Sequence, residues 1–109
     1  MYYFDKSRRL LTKNEYDFVF NQAKKVATPH FIILYRDNMV GHARLGLALS
    51  KRVIAKAHDR NRIKRILRET FRITSQLPAV DIIVLAKSGV AKVENAVLIC
   101  NLGQAWNKL

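Results

Sequence analysis

The order of apolar and polar positions in the first half of the chain predicts one helix followed by two strands. Residues 12–15 read Thr-Lys-Asn-Glu, a capping box that predicts a helix from there to about Ala23. His30 to Arg36 is rich in apolar, β-branched residues, as strands are. After a polar turn, Ala43 to Ser50 alternates leucines with small residues, which is the period of a second strand.

The second half predicts a long helix, a buried strand and a final helix. Apolar residues between Ile63 and Phe71 recur at spacings of three and four, which places them on one helical face, and Asp59 is the expected cap. Asp81 to Lys87 reads as a buried strand. Val93 to Leu109 is the expected last helix, although Ala96 to Cys100 fits a strand equally well by composition.

These elements give the order α-β-β-α-β-α and place the chain in the α+β class, with an additional strand near Val26 left open. The length of 109 residues, half of them apolar, predicts a single domain with a modest core. Residues 1–11 are expected to form a basic, extended N-terminal arm. No repeat or linker divides the chain.

Charge narrows the choice of partners. Twenty Lys and Arg against eight Asp and Glu give a net charge of +12, and a globular domain keeps such self-repulsion when it binds a polyanion, either nucleic acid or an anionic membrane surface. The apolar runs are too short to span a bilayer, and the N-terminus lacks the order of a secretory signal. The single cysteine, Cys100, excludes an internal disulfide, fits a reducing cytoplasm and is expected to be a small buried residue.

The basic residues are concentrated in one segment. Residues 51–72 carry nine cations against two acids, Asp59 and Glu69. On a helix turning about 100° per residue, the apolar positions share one arc and the cations spread over the opposite one. A solvated face usually mixes both signs, so the imbalance favours phosphate binding. The nine cations are Lys51, Arg52, Lys56, Arg60, Arg62, Lys64, Arg65, Arg68 and Arg72.

The sequence leaves two alternatives open for each of two further surfaces. On the second strand, Arg44, Gly46, Ala48 and Ser50 share one face, which is either covered closely or left as a flat floor for an extended nucleic-acid strand. The first helix has aromatic residues on both sides. For any one of them, core packing is preferred over base stacking.

Candidate catalytic groups do not cluster along the sequence. His30, His42 and His58 lie in separate segments, and no metal-ligand spacing, paired carboxylates or phosphate-binding glycine loop accompanies them. Catalysis by this chain is therefore not expected.

One stretch, residues 60–68 with the sequence Arg-Asn-Arg-Ile-Lys-Arg-Ile-Leu-Arg, closely resembles the signature of the bacterial ribonuclease P protein subunit. Residues 44–52, Arg-Leu-Gly-Leu-Ala-Leu-Ser-Lys-Arg, are similar to the family's strand and its basic exit. Arg9-Leu10 followed by Tyr16 and Phe20 is similar to its first helix. The resemblance extends from about Arg8 to Trp106.

The resemblance implies an α-β-β-β-α-β-α fold with a central four-stranded sheet and a left-handed βαβ crossover, which general handedness rules would disfavour. It also implies a cytoplasmic protein that joins the ribonuclease P RNA, and no membrane or obligate protein partner. That RNA carries the Mg²⁺-dependent site that removes the 5′ leader of precursor tRNA. The protein would bind the RNA and the leader, with no metal of its own. Many members have a basic tail, which would lie beyond Leu109.

Carried over by position, the resemblance assigns two sets of residues. An RNA-facing ridge would comprise Lys51, Arg52, Arg60, Asn61, Arg62, Lys64, Arg65 and Arg68. A leader cleft would be lined by Tyr16, Phe20, Ile32, Leu34, Arg36, Ala48 and Ser50. Some family members have an aromatic residue at the position of Leu34, and here Tyr35 points to the other face, which puts base stacking at that point in doubt.

The charge alone allows other functions. A ribosomal or other structural RNA-binding protein would share the basic surface and show no preference for leader-bearing tRNA. A DNA-binding regulator would need a partner helix just upstream of residue 60, and Val53 to His58 is too short and irregular to supply it. A protein-only nuclease lacks a catalytic constellation in the sequence.

Overall fold

The computed structural model describes residues 6–74 and 76–109, so residues 1–5 of the expected arm lie outside the described part. It confirms the order α-β-β-β-α-β-α, including the strand near Val26. The elements are α1 (Lys13–Asn21), β1 (Lys24–Ala27), β2 (Phe31–Asp37), β3 (Arg44–Ala48), α2 (Ala57–Ile73), β4 (Val80–Ala86) and α3 (Asn95–Trp106).

The four strands form one sheet in the order β1-β2-β4-β3. β2 is antiparallel to both β1 and β4, whereas β3 and β4 are parallel and are connected through α2, which gives the expected βαβ unit. The handedness of this crossover stays a prediction. Within the arm, Lys6–Arg8 form a short 3-10 helix, so this part is not extended as expected. The residues that follow lie along the free edge of β3, where Arg9 pairs with Leu45 and the Leu10 amide donates to the Leu45 carbonyl at 3.0 Å.

The larger core lies between one face of the sheet and helices α2 and α3. Ile33 and Val84 of the sheet, Leu67 of α2 and Trp106 of α3 are all buried in it. The indole of Trp106 donates to the Thr70 hydroxyl at 3.0 Å, which satisfies the polar atom of a buried ring. α1 packs on the opposite face, where Val19 of the helix and Leu10 of the arm are buried with Ile83 of β4.

The helix starts show one correct and one wrong expectation. The capping box of α1 is confirmed, since the Thr12 hydroxyl accepts from the Glu15 amide at 3.2 Å and Glu15 accepts from the Thr12 amide at 2.9 Å. Asp59 is not the cap of α2. That helix begins at Ala57 after Lys56, without a side-chain cap, and Asp59 lies in its first turn, where a carboxylate still faces the positive end of the helix dipole.

α3 resolves the alternative left open for Ala96 to Cys100, which are helical. Its buried stripe includes Leu98 and Leu102, and Cys100 lies on the exposed side, so the expectation that Cys100 is a core residue was wrong. Periodicity places Cys100 two residues from each of these leucines, which turns it away from the core. None of the helices among the described residues is long and apolar enough to cross a membrane.

Candidate nucleic-acid interface

α2 separates apolar and cationic residues as the sequence predicts. Ile63, Ile66, Leu67, Thr70 and Phe71 are buried against the sheet and α3. We call the opposite side the outer ridge, defined as Asn61, Lys64, Arg65 and Arg68. Arg65 and Arg68 are exposed, and within residues 6–74 and 76–109 no ridge side chain makes a hydrogen bond or ion pair. The ridge charge is therefore not neutralised within the described protein.

The predicted cations beside the ridge differ in their surroundings. Lys51 and Arg52 are exposed on the turn that follows β3. Arg60 is half-buried and donates to the carbonyl oxygens of Ile54 and Ala55 at 2.8 and 3.0 Å. These bonds fix the guanidinium against the connection that leads into α2, and they leave its charge without a carboxylate partner among the described residues.

Arg62 lies on the side of α2 that faces α3. Its guanidinium donates to the carbonyl oxygens of Ala91 and Val93 at 2.7 and 3.3 Å and to the side-chain oxygen of Asn95. Three acceptors from one segment hold the side chain away from the ridge. Assignment of Arg62 to the RNA-binding set stays a prediction, and the geometry gives it a structural role between α2 and the start of α3.

The face of the sheet under α1 is ordered in three cross-strand rows, because directly paired residues point to the same side. The charged row is Arg36–Asp81–Arg44, the middle row is Leu34–Ile83–Gly46, and the open row is Ile32–Leu85–Ala48. α1 contacts this face through β2 and β4. Ser50 lies beyond the end of β3 and is exposed.

The middle row is covered at Ile83 and Gly46, which are buried, whereas Leu34 is half-buried. A Cβ at Gly46 would lie 2.8 Å from Cζ of Tyr16, so only glycine admits the ring at this distance. The Tyr16 hydroxyl accepts from the Leu47 amide at 3.1 Å, which fixes the ring over β3. Val19 and Ile83 are fully buried beside it. At Gly46 the small-residue strand is thus closely covered by the helix.

The open row is not covered in the same way. Ile32, Leu85 and Ala48 are each only half-buried. Phe20 follows Tyr16 by one helical turn, so it lies on the same side of α1, and 47% of its surface is exposed. The preference for core packing was therefore wrong for Phe20. Each of the two alternatives for β3 therefore holds at one residue: the strand is closely covered at Gly46 and is more open at Ala48.

The charged row lies under the beginning of α1. Arg44 donates to both carboxylate oxygens of the buried Asp81, at 2.8 and 2.7 Å, and to Oε2 of Glu15 at 2.7 Å. The bond to Asp81 raises the pKa of Arg44. The Leu11 and Thr12 amides, with a contribution from Arg44, lower the pKa of Glu15. The guanidinium of Arg44 is therefore occupied by two carboxylates, and with Arg36 in the same row the charges of these four side chains balance.

Arg36 is also engaged with α1. It donates to the carbonyl oxygen of Phe18 at 2.7 Å, and its guanidinium carbon lies 3.9 Å from the centre of the Phe18 ring. The two predicted cleft residues Arg36 and Leu34 thus lie in the charged row and in the middle row, respectively. Of the predicted cleft residues, Ile32 and Ala48 lie in the open row, and Tyr16 and Phe20 lie on one side of α1.

The ridge and this face meet at the edge of β3. A cavity of about 140 Å³ is lined by Arg9 of the arm, Tyr16 of α1 and Leu47 of β3, together with Lys64 and Arg68 of the ridge. Neither Arg9 nor Leu85 was assigned to a site from the sequence. The alternation of Asp81, Ile83 and Leu85 in β4 could have placed Leu85 on this face once the strand order was known, whereas the position of Arg9 depends on how the arm folds back.

Metal-ligating residues are dispersed over the part of the chain that is described. No three of its His, Cys, Asp and Glu residues are grouped to hold a metal ion there. The donor set consequently gives no basis for assigning a magnesium site to these residues.

Comparison with known proteins identifies the family. The ribonuclease P family model matches residues 4–109. The chain belongs to the ribonuclease P protein family. It is 61% identical to the ribonuclease P protein component of Legionella pneumophila over 109 residues, which is 100% of this chain and 95% of that protein. The ribonuclease P protein component of Escherichia coli O157:H7 is 44% identical over 106 residues, 96% of this chain and 89% of that protein.

Solved structures of ribonuclease P proteins have the same fold. The protein from Staphylococcus aureus superimposes with a TM-score of 0.86 at 28% identity and covers 94% of this chain and 95% of its own. The protein from Thermotoga maritima gives a TM-score of 0.82 at 25% identity, with coverage of 93% and 96%. The α+β fold with four strands is therefore that of the ribonuclease P proteins.

Proposed function

We propose that this protein is the protein subunit of ribonuclease P, which binds the catalytic RNA with the outer ridge of α2 and the 5′ leader of precursor tRNA over the open row. The assembly would remove the leader and generate the mature 5′ end of tRNA. The observation that carries the proposal is the set of ridge cations without protein partners among the described residues, on a chain of this family.

The ridge supports the part of the proposal that concerns the RNA subunit. Exposed arginines without ion pairs can each neutralise a phosphate and release a counterion, and this release supplies much of the affinity of basic proteins for nucleic acids. The planar guanidinium also matches two phosphate oxygens at once. Arg65 and Arg68, three residues apart, offer such contacts from one side of the helix.

The open row supports the part that concerns the leader. An exposed aromatic ring beside a half-buried apolar floor suits an unpaired nucleotide strand, because bases stack on aromatic rings and the backbone can pass over small residues. Phe20 supplies the ring, and Ile32, Leu85 and Ala48 supply the floor. The cavity lined by Arg9, Lys64 and Arg68 would hold a phosphate where the strand reaches the ridge.

The chemistry of leader removal is proposed to reside on the RNA subunit, together with the Mg²⁺ ions of the holoenzyme. In this division, the protein contributes binding energy for the leader and screens phosphate repulsion between substrate and catalytic RNA. Both contributions lower the magnesium concentration that the RNA requires, since cationic side chains replace counterions.

Reconstitution with the RNA subunit tests the proposal. The protein is added to the catalytic RNA, and the rate of leader removal is followed over a series of magnesium concentrations with a leader-bearing precursor. Activity at a lower magnesium concentration than the RNA alone requires, and tighter binding of precursor than of mature tRNA, are the expected results. Failure to change either quantity, with tight binding to ribosomal RNA instead, would assign the protein to the structural RNA-binding class.

A further inference from the structure

Two arginines of the sheet connect it to α1, although their position on the cleft face would suit contact with a ligand. The donors that Arg44 directs to Asp81 and Glu15 lie at 2.7–2.8 Å from their acceptors, and its side chain is only 17% exposed. Arg36 is bonded to the backbone of α1 and stacked on Phe18. Neither guanidinium faces the open row.

The contacts of these arginines lie on one side of α1, and the aromatic residues that border the open row lie on the other. Glu15 and Phe18 are three residues apart, whereas Tyr16 and Phe20 are four apart on the opposite flank. A rotation of α1 about its own axis would therefore lift or lower Phe20 over the sheet. Contacts at two successive turns oppose this rotation.

We infer that Arg44 and Arg36 are positioning residues that fix the rotation of α1, and thereby the height of Phe20 above the open row. The inference rests on the proposed function, because it concerns the cleft in which the leader would bind. It places the two arginines outside the phosphate-binding set, because the donors of Arg44 are occupied by the carboxylates of Asp81 and Glu15, and Arg36 is held by the Phe18 carbonyl and ring.

The experiment measures leader preference in the holoenzyme reconstituted with the RNA subunit. Leader preference is defined as the Kd for mature tRNA divided by the Kd for the leader-bearing precursor. Glu15→Gln removes the ion pair to Arg44 while its amide oxygen can still accept from the Leu11 and Thr12 amides. Arg36→Met removes the hydrogen bond from β2 to the Phe18 carbonyl of α1, and Arg36→Lys retains a donor for that carbonyl.

Glu15→Gln and Arg36→Met are each expected to lower leader preference roughly three- to tenfold, as substitutions within a coupled network do. The affinity of each variant for the RNA subunit should stay within about twofold of the original, because the outer ridge is not touched. Arg36→Lys should recover most of the preference. Thr70→Val is the control, since it removes a buried hydrogen bond to Trp106 on the other side of the sheet.

The outcomes are distinguishable. If the unaltered holoenzyme shows no leader preference, the proposed function of the cleft is wrong. If it shows the preference, and Glu15→Gln and Arg36→Met retain it as fully as Thr70→Val does, the positioning role is wrong. An equal loss of affinity for the RNA subunit and for the leader would also overturn it, since that pattern indicates a general loss of structure. Glu15→Gln decides the matter alone if Arg36→Met does not fold.

Discussion

The outer ridge of α2 and the charged row of the sheet contain the same side chain in opposite surroundings. Arg65 and Arg68 are exposed and make no hydrogen bond or ion pair with any described residue. Arg44 is bonded to two carboxylates and Arg36 to a carbonyl oxygen and a ring. The difference shows that the presence of arginine on a basic protein does not identify an RNA contact. The surrounding acceptors decide whether its charge is available.

Replacement of one arginine from each set gives the largest expected difference. Arg44→Met leaves Asp81, which is 1% exposed, without its charged partner and should lower the free energy of unfolding by about 3–5 kcal/mol. Arg68→Met, at an exposed position without an ion pair to any described residue, should change it by less than about 0.5 kcal/mol. Urea denaturation of the two variants measures both values, and equal losses would remove the distinction between the two regions.

Within α2 itself, the hydrogen-bonded Arg62 can be compared with the exposed arginines of the outer ridge. Arg62→Ala removes three hydrogen bonds that join α2 to residues 91–95 and should cost about 1.5–3 kcal/mol of unfolding free energy. Its effect on the salt dependence of RNA binding should be small, because the guanidinium is already occupied. A loss of salt dependence as large as that of a ridge arginine, with stability unchanged, would return Arg62 to the RNA-binding set.

Phe20→Ala tests whether the leader binds over the open row. Loss of one stacked base should reduce discrimination for leader-bearing precursor by about 1–3 kcal/mol, measured as the ratio of affinities for precursor and mature tRNA. Because Phe20 is 47% exposed, thermal unfolding should show a stable variant. An unfolded variant would instead show that Phe20 supports the core and that its place beside the leader is wrong.

A smaller effect is expected in the pH dependence of the unfolding free energy, to which Glu15 beside the charged row contributes. The pKa of Glu15 is lower in the folded protein than its ordinary value of 4.5, so its contribution is complete above that value and is lost as the pH falls through the lowered pKa. Glu15→Gln should abolish this part of the acid destabilisation. Urea unfolding between pH 6 and the acid range, as a difference between the two proteins, measures it, and identical pH profiles would contradict the assignment.

The sequence predicts the element order and the two sides of α2 because each depends on local periodicity. The buried arc from Ile63 to Phe71 follows from spacing alone, and the capping box before α1 follows from neighbouring side chains and their backbone. The start of α2 was missed by a few residues, since no capping side chain marks Lys56. Cys100 was misplaced because composition, without the phase of α3, does not reveal its outer side.

The site was predicted less completely because long-range partners decide it. Arg36 and Arg44 meet their acceptors only when β2 and β3 pair with β4 in the observed register. Gly46 is covered and Ala48 is open, although they lie two residues apart on one strand, because α1 crosses the sheet at the first and not at the second. Neither fact is contained in the local pattern.

The salt dependence of RNA-subunit binding tests whether the ridge arginines, which have no partner among residues 6–74 and 76–109, contact phosphates. The dissociation constant is measured over a series of monovalent salt concentrations for the unaltered protein, Arg65→Ala and the stability control Thr70→Val. Loss of one phosphate contact should reduce the log–log slope of Arg65→Ala by about one unit and leave that of Thr70→Val unchanged. An unchanged slope for Arg65→Ala, in a folded variant, would contradict the claim.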